Sequence, residues 1–225
     1  MFNAIAPCYD RFNHISSLGI DNIWRWRAVR QITDTDKSLK ILDLATGTGD
    51  FAIAIARKCH GAGSVITGAD ISEGMLEVGK QKIRRSGLTT PINLTVADAA
   101  ALPFPDGSYD RISVAFGVRN FEDIPKGLSE MRRVLKNDGK LVILELSYPD
   151  NQFILSLYKI YAFKIMPFIG KIITGNQSAF NYLPDSIMKF PKPAKFIPML
   201  RQAGFNNVKC SSFSMGICRM YVAQP

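Results

Sequence analysis

The sequence predicts an α/β fold, a mostly parallel sheet with helices on both faces, and three observations predict it. The apolar run Ile41-Leu42-Asp43-Leu44 stops at Ala45-Thr46-Gly47-Thr48-Gly49 and gives way to the apolar segment 51–56, the pattern of a buried strand, a tight turn and a helix. Two further apolar runs, 64–70 and 92–97, end at Asp70 and just before Asp98. Strand and helix patterns then alternate along the chain, which gives parallel strands joined by helical crossovers.

A chain of 225 residues, 47% of them hydrophobic, can bury one sizeable core, so a single domain is expected. Its parts read as a helical arm (1–36), a core (37–147), a helical insertion (148–192) and a closing segment (193–225). No uninterrupted apolar run reaches the length of a spanning helix, and residues 1–10 lack the basic start and apolar centre of a secretory signal. Cys8, Cys59, Cys210 and Cys218 form no C-x-x-C pair, and His14 and His60 lie far apart. No metal site is expected, and the cysteines suit reduced thiols in a cytosol. The net charge of +9 asks for an anionic partner, and a membrane surface or nucleic acid would both serve.

In chain order, Phe2, Ile5, Ala6, Tyr9 and Phe12 recur at spacings of three and four, and Trp24, Trp26, Val29 and Ile32 continue the helical pattern. Most of these positions suit packing, whereas Tyr9, Asp10, Asn13, His14, Ser16 and Ser17 suit an arm that closes over a ligand. After the first strand come a helix over 49–59, a turn at 61–63, a strand over 64–70 and a helix over 72–85 with Ser72 as its N-cap. Residues 87–91 punctuate the chain before the third strand. An extended loop over 102–108 precedes a fourth strand over 109–116, then a helix over 123–135 stops at Asn137-Asp138-Gly139 before a fifth strand over 140–146. Residues 148–175 break the rhythm: they are strongly apolar, carry Lys159, Lys164 and Lys171, and hold no acid from 153 to 175. That composition suits a lipid-like substrate or a membrane surface, and equally a helix pair covering the sheet. Pro167 should end or kink the helix. A last helix over 191–203 and strands over 208–213 and 216–222 bring the count to seven strands.

The glycine turn reads as a ligand site. Gly47 and Gly49 permit close backbone approach, the helix opening near Asp50 points free N–H groups at the ligand, and Asp43 sits at the strand end. A dinucleotide fingerprint would carry a third glycine where Ala52 stands. Asp70, about twenty residues on, is placed to meet ribose hydroxyls, and Asp98-Ala99 ends the third run. Acids at three strand ends with no pyrophosphate fingerprint fit a positively charged nucleoside, S-adenosyl-L-methionine. This block resembles the class I, Rossmann-like methyltransferases.

With the arm and the insertion included, the chain resembles the ubiquinone/menaquinone biosynthesis C-methyltransferase family nearly end to end. The resemblance is carried by Phe2-x-x-Ile5-Ala6-x-x-Tyr9-Asp10-x-x-Asn13, Ser17-x-Gly19, Leu42 through Asp50, Ala69-Asp70-Ile71-Ser72, Met75-Leu76, Ala101-Leu102-Pro103-Phe104, Phe116-Gly117-Val118-Arg119-Asn120 and Tyr182-Leu183-x-x-Ser186-Ile187-x-x-Phe190-Pro191. It implies a seven-stranded sheet, an arm that closes over the cofactor, and cofactor contacts at Gly47, Thr48, Gly49, Asp70, Asp98 and Ala99. It also implies methylation of a ring carbon of a polyprenylated quinol, demethylmenaquinol to menaquinol, extending to the benzoquinol of ubiquinone synthesis. The enzyme would be cytoplasmic and peripheral at the inner, anionic face of the membrane. An aromatic carbon is a weak nucleophile, so a ring hydroxyl must ionise first; Arg119 is expected to stabilise the phenolate, Asn120 to orient it, and Tyr9 or Asp10 to stand in the proton path. For Arg119 a salt bridge holding the turn is the competing role. Ala115 stands where members of the family often carry serine, and the Gly216-to-Tyr221 ending departs from the histidine-containing ending of some members, so neither contact carries over.

Two other classes compete. A nucleic-acid methyltransferase acting on base amines would carry an Asn/Asp-Pro-Pro-aromatic turn after the fourth strand, where this chain reads Phe116-Gly117-Val118-Arg119-Asn120, so no nucleic-acid partner is expected. A non-catalytic cofactor-binding subunit would not need the acid set and the Arg119-Asn120 turn that this chain carries.

Overall fold

The computed structural model describes residues 10, 14–169 and 178–225. Strands β1 (Lys40–Leu44), β2 (Val65–Asp70), β3 (Ile92–Val96), β4 (Tyr109–Ala115) and β5 (Leu135–Leu146) are joined by parallel pairings. Strand β7 (Cys218–Gln224) inserts antiparallel between β5 and β6 (Asn207–Phe213), giving one seven-stranded sheet in the order β3-β2-β1-β4-β5-β7-β6. Adjacent residues in a strand face opposite sides, yet Ile41 and Leu42 are both fully buried, as are all four residues from Leu141 to Leu144. Both faces of the sheet are therefore covered, as parallel sheets require.

The covering helices are α1 (Ile20–Ile32), α2 (Asp50–Ala56), α3 (Glu73–Arg85), α4 (Ile124–Val134), α5 (Gln152–Ile160), α6 (Ser178–Lys189) and α7 (Pro193–Gln202). Trp24, Val29 and Ile32 of α1 and Phe51 and Ile55 of α2 pack on Ile41, Ile66, Val142 and Leu144. Leu128 and Met131 of α4 and Phe196 and Leu200 of α7 pack on Leu42, Ile112 and Val114 across the sheet. Ser72 caps α3, its hydroxyl accepting the Met75 N–H at 3.3 Å, as its position before the helical run implies. A third cluster joins Met75 to Leu155, Tyr158, Ala162 and Met166 of the insertion and to Leu183 and Ile187 of α6. The insertion thus lies against the start of α3, beside the glycine turn.

Three details differ from the sequence reading. Strand β5 begins at Leu135 rather than 140, directly after α4, because buried Leu135 pairs with Tyr109 before a register shift lets Lys140 pair with Arg111. Pro167 neither stops nor sharply breaks the insertion helix. A proline cannot donate to the carbonyl four residues back and crowds it, and here the chain widens to a π-helix over Tyr161–Ile165 and stays helical through residue 169. Residues 178–189, within the expected helical insertion, form α6. The closing strand starts at Cys218 rather than 216, because Ser214 and Met215 take positive φ (47° and 56°) in a tight turn over Ser214–Gly216. Among the described residues no helix is long and apolar enough to cross a membrane.

Candidate active site

The carboxyl ends of β1, β2, β3 and β4 open onto one cleft of about 1140 Å³. Its floor is organised by Asp43, the penultimate residue of β1. The Thr46 hydroxyl donates to Asp43 Oδ2 at 2.6 Å and the Ser113 hydroxyl, on the paired residue of β4, donates to Oδ1 at 2.7 Å. Asp43 is buried, and burial pushes its carboxyl up to about 6; water is replaced by two neutral donors, which do not fully offset the lost solvation. The turn that follows needs left-handed backbone, with φ of 57° at Gly47 and 80° at Gly49.

Asp70 ties the end of β2 to this turn. Its Oδ2 accepts the Gly47 N–H at 2.8 Å and its Oδ1 accepts the Ser72 N–H at 2.9 Å. Burial raises its pKa against the pull of these backbone donors. Each carboxylate oxygen retains acceptor capacity for a second donor, which is what a pair of ribose hydroxyls requires. Asp98, after β3, is exposed; its Oδ1 accepts the Ala100 N–H at 2.8 Å, and it lines the cleft with Ala99.

The arm reaches the glycine turn through charge. Asp10 Oδ1 accepts from the Thr48 hydroxyl at 2.6 Å, and Lys82 of α3 sits 2.6 Å from Asp10 Oδ2 while also pairing with Asp50. Further along, His14 Nδ1 lies 2.9 Å from Asp21 Oδ2 and His14 Nε2 lies 3.7 Å from Asp50. Asp21 also accepts from Ser17 at 2.6 Å and from Arg25 Nε at 3.3 Å. These donors outweigh the desolvation of Asp21 and hold its pKa below the usual value.

At the end of β4 the chain turns at Phe116, a non-glycine residue with φ of 61°. Gly117 follows where a Cβ would stand 2.5 Å from the Ala45 Cβ, so no larger residue fits beside the β1 turn. Arg119, in the tight turn Val118–Asn120, is buried: its Nη1 lies 2.6 Å from Glu145 Oε1 and also donates to the Phe116 carbonyl. Asn120 lines the cleft, and its side-chain oxygen accepts from Tyr182 at 3.3 Å.

Of the residues named from sequence, Asp10, Gly47, Thr48, Asp70, Asp98, Ala99 and Asn120 line the cleft. Gly49 does not; it opens α2 behind the turn as its N-cap. Arg119 does not reach the cleft either, and lines instead a second, small pocket behind Phe116. Tyr9 lies outside the described residues. Lys82, Glu145, Asp21, Arg25 and Tyr158 were missed. Asp21 and Arg25 stand one helical turn apart, a spacing readable as an ion pair, whereas Lys82 and Glu145 carry no local signal and meet their partners only across the fold.

A family model described as the ubiE/COQ5 methyltransferase family matches residues 1–224. Demethylmenaquinone methyltransferase of Bacteroides fragilis is 44% identical over 223 residues, covering 99% of this chain and 90% of that protein. Ubiquinone/menaquinone biosynthesis C-methyltransferase UbiE of Geotalea uraniireducens is 43% identical, covering 100% of this chain and 94% of that protein. Among solved structures, a SAM-dependent methyltransferase from Aquifex aeolicus superposes with a TM-score of 0.60 at 19% identity, covering 84% of each chain. The phosphoethanolamine N-methyltransferase 2 of Haemonchus contortus, solved with S-adenosyl-L-methionine, gives 0.63 at 14% identity over 89% of this chain and 52% of that one. At such identities the structural likeness speaks for the fold.

Proposed function

The chain belongs to the ubiE/COQ5 methyltransferase family, and from that premise we propose that its cleft and inner pocket carry out methyl transfer to a reduced quinone ring. It is an S-adenosylmethionine-dependent C-methyltransferase that converts demethylmenaquinol to menaquinol, a reaction that the names of its relatives extend to a precursor of ubiquinone. The observation that carries this reading is a full-length likeness at 44% identity to a protein of that name.

The cleft suits the cofactor chemically. Gly47 presents a face where an added Cβ would meet nothing within 4 Å, so a ligand can lie directly on the backbone. Asp70 would take the ribose hydroxyls, Asp98 and Ala99 would flank the adenine, and Thr48 would border the turn with Gly47 and Gly49 shaping it. When bound, the cofactor supplies an electrophilic methyl group on a sulfonium.

The protein's share is positioning and one proton. The quinol hydroxyl beside the acceptor carbon would give up its proton, so that the ring carbon could take the methyl group that the cofactor supplies. The ring C–H proton then leaves and the oxygen recovers its own, a net release of one proton per turnover. Asn120 would orient the ring oxygen, and Asp10, on the cleft wall, or Tyr9 would stand in the proton path. Arg119 would act on the phenolate from behind Phe116, as a fixed dipole because Glu145 offsets its charge.

The domain division proposed is arm, cofactor-binding core, substrate- and membrane-facing insertion, and closing segment, with the boundaries read from sequence. The insertion combines its two readings. Leu155, Tyr158, Ala162 and Met166 face inward, while Phe153 (73% exposed), Leu157, Ile160, Phe163 and Phe168 face outward beside Lys159 and Lys164. This outer face supports peripheral contact with the anionic inner leaflet, where a polyprenylated substrate resides. The test of the reaction is methylation of a short-chain demethylmenaquinone with and without a chemical reductant. Methyl transfer should require the reductant, because the oxidised ring has no hydroxyl to ionise and is itself an electrophile; equal rates on the oxidised form would overturn the mechanism.

A further inference from the structure

Behind Phe116 lies a pocket of about 80 Å³, distinct from the cofactor cleft and walled by the arm, the turn after β4, the insertion and α6. Met166, Leu183 and Ile187 are among its apolar walls, and the polar residues lining it are Asp21, Arg25, Arg119, Tyr158 and Tyr161 with two serines of the arm. Tyr158 is 8% exposed, and among the described residues its hydroxyl has no hydrogen-bond partner. Its neighbour Tyr161, on the same wall, is satisfied by the Ser16 carbonyl. Among the described residues the buried tyrosine hydroxyl without a partner is that of Tyr221, whereas the Tyr158 hydroxyl keeps access to solvent through the pocket, where the acceptor oxygen of a ligand can replace water. A pocket that presents such a hydroxyl is shaped for an acceptor.

We propose that this pocket seats the oxygen-bearing edge of the quinol ring, with the Tyr158 hydroxyl donating to the ring oxygen para to the one beside the acceptor carbon. The assignment rests on the reading of the acceptor as a quinol. Arg25 stands on the wall common to both cavities, its guanidinium 5.2 Å above the Phe116 ring and its Nε held by Asp21. It faces the oxygen beside the acceptor carbon, at the boundary across which the methyl group must pass. Burial drives the Tyr158 phenol up to about 12, so it remains a donor across the physiological range. The pocket admits the polar edge of the ring, and the remainder lies in its mouth among the insertion's apolar side chains, on the side from which a prenyl tail comes.

The test pairs a substitution with a missing substrate atom. Wild type and Tyr158→Phe are assayed with a 2-prenyl-1,4-naphthoquinol and with 3-prenyl-1-naphthol, which keeps the hydroxyl beside the acceptor carbon and lacks the other. Wild type should lose roughly ten- to a hundredfold in kcat/KM on the naphthol, the weight of one buried hydrogen bond. Tyr158→Phe should lose about as much on the quinol and nothing further on the naphthol, with S-adenosylmethionine affinity unchanged by calorimetry. Losses that simply multiply, or a variant as fast as wild type on the quinol, overturn the assignment. Lost cofactor affinity in Tyr158→Phe would make the residue structural and overturn it too. Wild type that binds the cofactor but turns over neither ring would instead overturn the quinol reading, and this proposal with it.

Discussion

Arg119 Nη1 lies 2.6 Å from Glu145 Oε1, with side chains 2% and 0% exposed. The other carboxylate oxygen of Glu145 accepts the Arg119 backbone N–H at 3.1 Å, so one acid holds both the side chain and the main chain of the turn after β4. That turn places Phe116 and Asn120 at the cleft and Arg119 at the inner pocket. The pair also links two neighbouring parallel strands at their carboxyl ends, where β5 leads into the insertion.

A buried pair broken on one side leaves an uncompensated charge. Glu145→Ala should therefore destabilise the protein by about 3–5 kcal/mol, whereas the double variant Glu145→Leu/Arg119→Met should recover most of that loss. Urea unfolding of the three proteins checks this. A single variant with the wild-type midpoint would show that the pair does not hold the turn.

Cofactor affinity should follow Asp70. In Asp70→Asn one carboxylate oxygen becomes an NH₂ group, which cannot accept from a ribose hydroxyl or a backbone N–H. Binding should weaken by about 1.5–3 kcal/mol, the range for hydrogen bonds to a charged group. Titration calorimetry measures it directly, and unchanged affinity would remove Asp70 from the cofactor site.

Asp43 should leave a signature in the pH dependence of stability. Its carboxyl is raised from the ordinary value near 4 to about 6 in the folded state, so between those pH values the native protein holds a proton that the unfolded chain has released. Its contribution to stability is greatest below about pH 4, falls as pH rises through the folded pKa, and is constant above it. Two pKa units correspond to roughly 3 kcal/mol. Asp43→Asn should gain that amount relative to wild type across the window, and parallel stability curves for the two proteins would refute the assignment.

Vesicle binding should divide the insertion's outer face into two contributions. Phe153→Ser/Leu157→Ser should weaken co-sedimentation with both anionic and zwitterionic vesicles. Lys159→Gln/Lys164→Gln should cost roughly 1 kcal/mol per lysine, on anionic vesicles only and less at high salt. Wild type that binds neither vesicle would leave the exposed phenylalanines without a membrane partner, and equal binding to both would leave the lysines without one.

Much of the cleft was legible because its residues are local to strand ends. Gly47 and Thr48 follow β1, Asp70 ends β2 and Asp98 follows β3, so each is marked by an apolar run that stops. The boundaries were less legible where tertiary packing outweighed local signals: Asn137-Asp138-Gly139 reads as a stop, yet Leu135 is drawn into the core as the first residue of β5. Pro167 reads as a breaker, and the chain answers it with a π turn. Lys82 sits on an otherwise ordinary helix face, and nothing near it in sequence announces Asp10 and Asp50.

By itself the sequence determined the α/β class, the seven strands, the cofactor chemistry and the family, because periodicity and strand-end residues depend on short stretches of chain. Only the tertiary structure decided which charges meet. It turned Arg119 away from the cleft to Glu145, set Arg25 between two cavities, and left the Tyr158 hydroxyl facing a pocket with no partner among the described residues. The physical reason is that a side chain's charge state and hydrogen bonds are set by what lies within a few ångströms of it, and in a parallel sheet those neighbours come from segments 26 residues apart, as for Arg119 and Glu145, or 72 apart, as for Asp10 and Lys82.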